Sequence, residues 1–423
     1  MTTDAKATFH EHPARAAALS ELHARPPMRI PSERALILRF VFAFEQSYAG
    51  RDDALIDSIC HEAGIAPPAS RARALQFQWR GMDARWERHN EFVTYTFISA
   101  SGLLEPALAD MNARLLRDQP GPLVAKLQLR VTRSHDEQLP SLDPRFACAS
   151  RIGKGRALLQ TSFTDDEEGA VELELACASL SDTEAGSLAQ SVLELEMYRM
   201  LALLALPIAR QVGAMVRDTE TQLGALTRRL SDPMGNAEIE TLYQELTTLS
   251  GRVEMEIAAS TYRFSAARAY GALVEERLAK IGEEEIGGRS RVGAFLMTRL
   301  IPALRTCESM HLALQDLARR TARAADLIRT RIDLQLARQN VELLQTLNQR
   351  TKLQTRLQQT VEGLSVAAVS YYMIGLLSYL VKGVHDYAHI TLDPTIIVAA
   401  LVPVVVFGVW MAVSSIRRKH QLD

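Results

Sequence analysis

Two kinds of hydrophobic spacing divide the chain. From Glu33 to about Ser179 short apolar runs alternate with helical stretches, and after Ser181 apolar residues recur at steps of three and four. The runs at 35–44 (ALILRFVFAF), 74–79 (ALQFQW), 92–99 (FVTYTFIS), 123–131 (LVAKLQLRV), 157–163 (ALLQTSF) and 171–180 (VELELACASL) have the length and residue bias of strands. Asp52–Ala63 and Pro106–Arg117 have helical spacing between them, and Pro106 suits a first helical turn. The expectation for 1–180 is a cytoplasmic α+β domain with an extended, mixed sheet.

Residues 181–362 read as a stalk or coiled-coil-like bundle of long helices. A helix over Glu184–Leu230 is broken or kinked at Pro207, and Asp232-Pro233-Met234-Gly235 supplies a turn. The next, Ala237–Glu285, stacks Ile239, Leu242, Leu246, Leu249 and Val253 into one apolar stripe and ends before Gly287-Gly288. A third begins near Arg291. After Pro302 it runs from Ala303 to Glu362 without glycine or proline, about 90 Å at the α-helical rise. Leu327, Leu334 and Val341 repeat at seven, as do Leu336 and Leu343. Leu353, Leu357, Val361 and Leu364 extend the stripe. Such a seam needs a partner, either the second helix of the same chain or the same helix of neighbouring copies.

Two uncharged stretches follow, Gly363–Val381 and Pro394–Ile416, each long enough to cross a hydrocarbon core of about 30 Å. Together, over 363–416, they read as a transmembrane hairpin. Tyr371, Tyr372, Tyr379, Tyr387 and Trp410 suit its interfaces. Arg350, Lys352 and Arg356 precede the first stretch, and Arg417, Arg418 and Lys419 lie in the tail 417–423, whereas the connection holds only Lys382. By the positive-inside rule both termini are cytoplasmic. The first residues carry acids and histidines and no signal-peptide apolar region.

A net charge of -2 gives no basic face for nucleic acid. Cys60, Cys148, Cys177 and Cys307 are scattered without a CxxC pair and read as reduced, buried thiols. GxGxxG, GxxxxGK[ST], GxSxG and HExxH are all missing, so the reading is not that of an enzyme.

The segment His23-Ala24-Arg25-Pro26-Pro27, followed by an α+β region, long helices and a terminal hairpin with Tyr371-Tyr372, Gly375 and Lys382, resembles a bacterial family of predicted membrane-anchored proteins of unknown function. That resemblance implies the bacterial inner membrane and brings no activity. The layout also resembles the CorA-type divalent-cation transporters, in which a cytoplasmic α/β domain feeds a long helix into the first of two C-terminal spans. What this implies is a homo-oligomer, a pentamer in that family, with the first span lining a pore. The Gly-Met-Asn filter of that family is missing, and the corresponding stretch reads Lys382-Gly383-Val384-His385-Asp386.

Candidate residues follow from helical spacing. Tyr371, Gly375, Ser378 and Lys382 fall on one face of the first span, continued by Gly363 and Ala367. This small and polar stripe suits either the lining of a conduit or close packing against the second span, with Lys382 reaching the headgroups. In the connection His385, Asp386 and His389 suit a divalent metal ion or an ordinary hydrated loop. Asp165-Asp166-Glu167-Glu168-Gly169 reads as a hairpin tip and Glu283-Glu284-Glu285 as an acidic helix end. The functional expectation is an integral membrane protein of CorA-like layout, a homo-oligomeric ion channel or transporter gated by its cytoplasmic domain. The alternative is a membrane-anchored scaffold or interaction protein. An enzyme with a pocket in the α+β domain is the third reading.

Overall fold

The computed structural model describes residues 12, 15, 27–69, 72–102, 106–134, 139–388 and 393–420. The chain divides into two compact units, Met1–Ala325 and Asp326–Asp423. The first is built on an eight-stranded sheet of β1 (Arg34–Ala43), β2 (Ala74–Trp79), β3 (Met82–Arg88), β4 (Phe92–Ser99), β5 (Leu123–Ser134), β6 (Cys148–Ile152), β7 (Ala157–Asp165) and β8 (Val171–Ala178). Their order is β2-β3-β4-β1-β5-β8-β7-β6, and only β5 with β8 is parallel, so the sheet is mixed as the sequence implies.

Six of these strands fall on apolar runs of the sequence; β3 and β6 do not. β3, MDARWER, is too charged to read as a strand, yet Arg80 and Gly81, both at positive φ (47° and 80°), form a two-residue hairpin turn that sets Trp79 opposite Met82. β6 is five residues at the sheet's edge, antiparallel to β7.

The pleat of β1 separates two cores. Leu36, Leu38, Phe40 and Phe42 join Trp79, Trp86, Tyr95 and Phe97 beneath α1 (Arg51–Ala63) and α2 (Pro106–Arg117). Ala35, Ile37 and Val41 face the larger core, which also takes residues from α3 (Asp182–Leu203), α5 (Asn236–Ile281) and the start of α6 (Val292–Ala388). Because Leu193, Val274 and Leu296 share that core with the strands, the compact unit extends to Ala325, well beyond the sheet's last residue.

The helix boundaries show local chemistry at work. α3 opens with a capping box: the Glu184 N–H donates to Ser181 Oγ (3.3 Å) and the Ser181 N–H to Glu184 Oε2 (2.9 Å). The expected break at Pro207 falls instead at Leu204, and Pro207 sits within the first turn of α4 (Ala205–Ser231). There the missing N–H costs nothing, because first-turn amides have no intrahelical acceptor. α5 ends at Gly282, whose φ of 59° gives a left-handed cap, earlier than the glycine pair at 287–288. The acidic run after it is no mere solvated end. The Glu283 carboxylate accepts the Gly293 N–H (3.0 Å) and the Ser150 hydroxyl (2.6 Å), and the Val292 N–H donates to Ser150 Oγ (2.9 Å), so Glu283 and Ser150 together cap α6. Bridges of Cys148 with Ser290 and Arg151 with Glu284 lay this loop along β6 and cover the sheet's edge. α7 (Pro394–His420) is the last element.

Candidate functional site

α6 has two characters along its length. Up to Ile328 it buries Val292, Leu296, Leu300, Cys307, Leu314, Leu317, Ala324 and Ile328, at the spacing of one helix face. Thereafter its apolar residues stand in solvent: Leu334, Leu336, Val341, Leu343, Leu344, Leu347, Leu353, Leu357 and Val361 are each about half exposed or more. The second long helix, α5, buries its own stripe of Ile239, Leu242, Leu246, Leu249 and Val253. The seam from Leu334 to Val361 is thus an exposed apolar surface within its own unit.

Residues of α6 up to Val384 and Thr395–Ser415 of α7 include stretches long and apolar enough to cross a membrane, by length and composition. Only about 6 % of each such stretch is buried within the chain, the opposite of a soluble protein's core helix. On the first stretch, Val366, Ser370, Ile374, Leu377 and Val381 are less exposed than their neighbours, and Ser370 is 3 % exposed. The expected small and polar stripe lies one residue on, about 100° around the helix. Gly363, Ala367, Tyr371 and Lys382 are exposed, and Gly375 and Ser378 are intermediate. A Cβ added at Gly363 or Gly375 would meet nothing within 4 Å, so neither glycine is a point of close approach within this chain. Ser378 Oγ donates back to the Gly375 carbonyl (2.8 Å). The side chains of His385 and Asp386, and all of His389, lie outside the described residues. Among the described residues no three His, Cys, Asp or Glu side chains gather to hold a metal.

Of the His-Ala-Arg-Pro-Pro segment, His23, Ala24, Arg25 and Pro26 lie outside the described residues; Pro27 is described. Its carbonyl accepts from Arg85 Nη2 (3.1 Å), and Met28 and Ile30 are fully buried just beyond. Arg133 Nη1 donates to the Ile30 carbonyl (2.6 Å) and to Asp182 Oδ1 (3.0 Å). Gly186 makes room for this passage: a Cβ there would lie 2.0 Å from the Met28 carbonyl oxygen. Arg85 and Arg133 of the body thus hold the backbone of Pro27 and Ile30.

In the smaller core, the buried carboxylate of Asp52 accepts from Trp86 Nε1 (3.1 Å), Tyr95 OH (2.6 Å) and Arg88 Nε (2.9 Å). Burial first, and the Asp52 charge second, push the Tyr95 phenol well above its usual value. Every oxygen lone pair there is engaged from within, which marks a structural hub. The four cysteines are buried thiols, and burial pushes Cys148 and Cys177 up to about 12. The acidic turn after β7 places Glu168 Oε2 3.2 Å from the buried Lys126 ammonium, a lysine whose partner the sequence alone does not reveal. Sequence spacing also misses Asp52, Arg39 and the capping role of Glu283, which it reads only as part of an acidic helix end. Only Arg39 leaves a visible signal, a charge in the middle of an apolar run.

No curated protein and no solved structure matches the chain. A family sequence model covers it almost from end to end, residues 10–420, including the expected N-terminal segment, the sheet, the long helices and both apolar stretches. The chain belongs to the family described as Protein of unknown function (DUF3422).

Proposed function

We propose that the chain is an integral membrane protein that assembles with copies of itself into an ion channel or transporter of CorA-like layout. The observation that carries this reading is the exposed leucine seam of α6, which continues into the first apolar stretch. So long an apolar surface is covered in a working protein, and repeats at seven suit another copy of the same helix, brought into register by rotational symmetry. In such a ring the two apolar stretches form a hairpin. The less exposed stripe around Ser370 meets the second span, and Gly363, Ala367, Tyr371, Gly375, Ser378 and Lys382 turn toward the conduit. The basic flanks set both termini on the cytoplasmic side of the bacterial inner membrane.

One observation favours the scaffold reading: Lys382 opens the stretch that corresponds to the CorA-type filter, and a ring of such ammonium groups would repel cations. The mass of the detergent-solubilised particle decides first. A ring of about five copies supports the conduit, and a monomer overturns it, because two helices cannot enclose one. Ion flux in proteoliposomes decides next. Lys382→Glu shifts selectivity toward cations if the protein conducts. Silence of wild type and variant alike toward monovalent cations, divalent cations and chloride, with the oligomer intact, leaves the scaffold.

A further inference from the structure

β1 carries one charge within its apolar run, and the pleat fixes where that charge goes. Arg39 shares a face with Ile37 and Val41, has Thr96 beside it on β4 and Leu127 beside it on β5, and has Arg85 beyond Thr96 on β3. It is 2 % exposed, and its Nε donates to Thr96 Oγ1 (2.9 Å). Among the described residues no carboxylate lies within ion-pair distance of it. A guanidinium taken this far from water is strongly unfavourable unless an anion meets it.

Its neighbour on the same face is provided for. Asp83 and Glu87 flank Arg85 along β3, and the Pro27 carbonyl accepts from its Nη2 (3.1 Å). Burial pulls the Arg85 guanidinium below its ordinary value; Glu87 and Asp83 oppose that, and the positive charge of Arg39 adds to it. Thr94, two residues before Thr96 on β4, is 1 % exposed, and its Oγ1 has no hydrogen-bond partner among the described residues. Two independent observations thus meet on one patch of sheet: a buried cation short of counter-charge and a buried hydroxyl short of a partner.

We propose that this face of β1, β3 and β4 binds a small oxyanion, a phosphate or carboxylate group, gripped by the terminal nitrogens of Arg39 and by the hydroxyls of Thr94 and Thr96. The planar fork of a guanidinium matches two oxygens of such a group at once, and the Thr96 hydroxyl, which accepts from Arg39 Nε, keeps its own proton to donate. Pro27, the last residue of the His-Ala-Arg-Pro-Pro segment, borders the site through Arg85. The site lies wholly in the first unit and does not depend on the oligomer, so a monomeric particle leaves this inference standing.

The test is calorimetry on the detergent-solubilised full chain, titrated with inorganic phosphate and separately with citrate, at fixed ionic strength with chloride as the reference. Saturable binding of either anion, one per chain, is expected; phosphate alone or citrate alone assigns the group. Arg39→Gln should weaken it by about tenfold or more, the worth of a charge-assisted hydrogen bond. Thr94→Val should weaken it several-fold and leave the melting temperature of the anion-free protein unchanged or raised, since the hydroxyl it removes has no partner there. If Arg39→Gln does not fold, Thr94→Val decides alone. No saturable heat with either anion, or equal affinity in wild type and Thr94→Val, overturns the proposal.

Discussion

At Asp52 a single carboxylate gathers donors from two strands, Trp86 and Arg88 on β3 and Tyr95 on β4, and so ties α1 to the sheet. Removing it strands two buried donors, Trp86 Nε1 and Tyr95 OH, in a low-dielectric core, while the half-buried Arg88 keeps Asp53; an uncompensated buried donor is far costlier than a lost surface pair. Asp52→Ala should therefore lower the stability of the body by about 3 kcal/mol or more, read as a loss of melting temperature in the solubilised protein. A fall of less than about 1 kcal/mol would mean that water replaces the carboxylate. The exposed pair Arg145–Asp143, at 2.7 Å, is the control: its loss should be near neutral, because solvent screens it. Glu184 shows the same logic in pH. The Ser181 backbone amide first, then Arg156 and the Ser181 hydroxyl, hold its carboxyl down to about 2. A carboxyl whose folded value is depressed stabilises the fold above its unfolded value, roughly 4.3, and that support is lost as pH falls toward about 2. Glu184→Gln should accordingly flatten the acid limb of the stability curve over that window; an unchanged limb would show that the capping box does not set it.

Among the elements, α6 carries the most consequence. Its first part is fixed by burial, and the part from Leu334 to Val361 is continued in one helix by good helix formers, with its leucines exposed. Replacing Leu343 and Leu347 by aspartate puts charges on the exposed seam. In an assembly held by this helix the particle should dissociate or lose its stability, because an unpaired carboxylate cannot be buried between apolar helices. Unchanged particle mass and melting behaviour would show that the seam faces water and does not organise the oligomer. The same substitutions in a monomer should leave the body intact, since neither leucine belongs to either main core.

For the molecule as a whole, orientation is the decisive question, and it rests on six basic residues flanking the apolar stretches against one between them. A cysteine placed at His389 in an otherwise cysteine-free chain should react with a membrane-impermeant thiol reagent in intact cells, whereas one placed at His420 should react only after lysis. Reversed labelling would put the body on the other face of the membrane. The native thiols should contribute little background even without their removal, because all four are buried.

Period and punctuation in the sequence determine most of the architecture here. Alternating apolar runs mark six of eight strands, three- and four-residue steps mark the helices, and uncharged length marks the two apolar stretches, because each of these is a local property of the chain. Tertiary structure decides the rest. β3 is a strand only because the Arg80–Gly81 turn brings it between β2 and β4, and Glu283 is a cap only because Ser150 arrives beside it from a distant strand. Arg39 shows both halves of the lesson. Its charge was legible within ALILRFVFAF, but its isolation from any carboxylate among the described residues was not, since that depends on which side chains β3, β4 and β5 place around it. A sequence lists charges in order along the chain; only the fold sets the distances between them, and the energy of a buried charge depends on those distances.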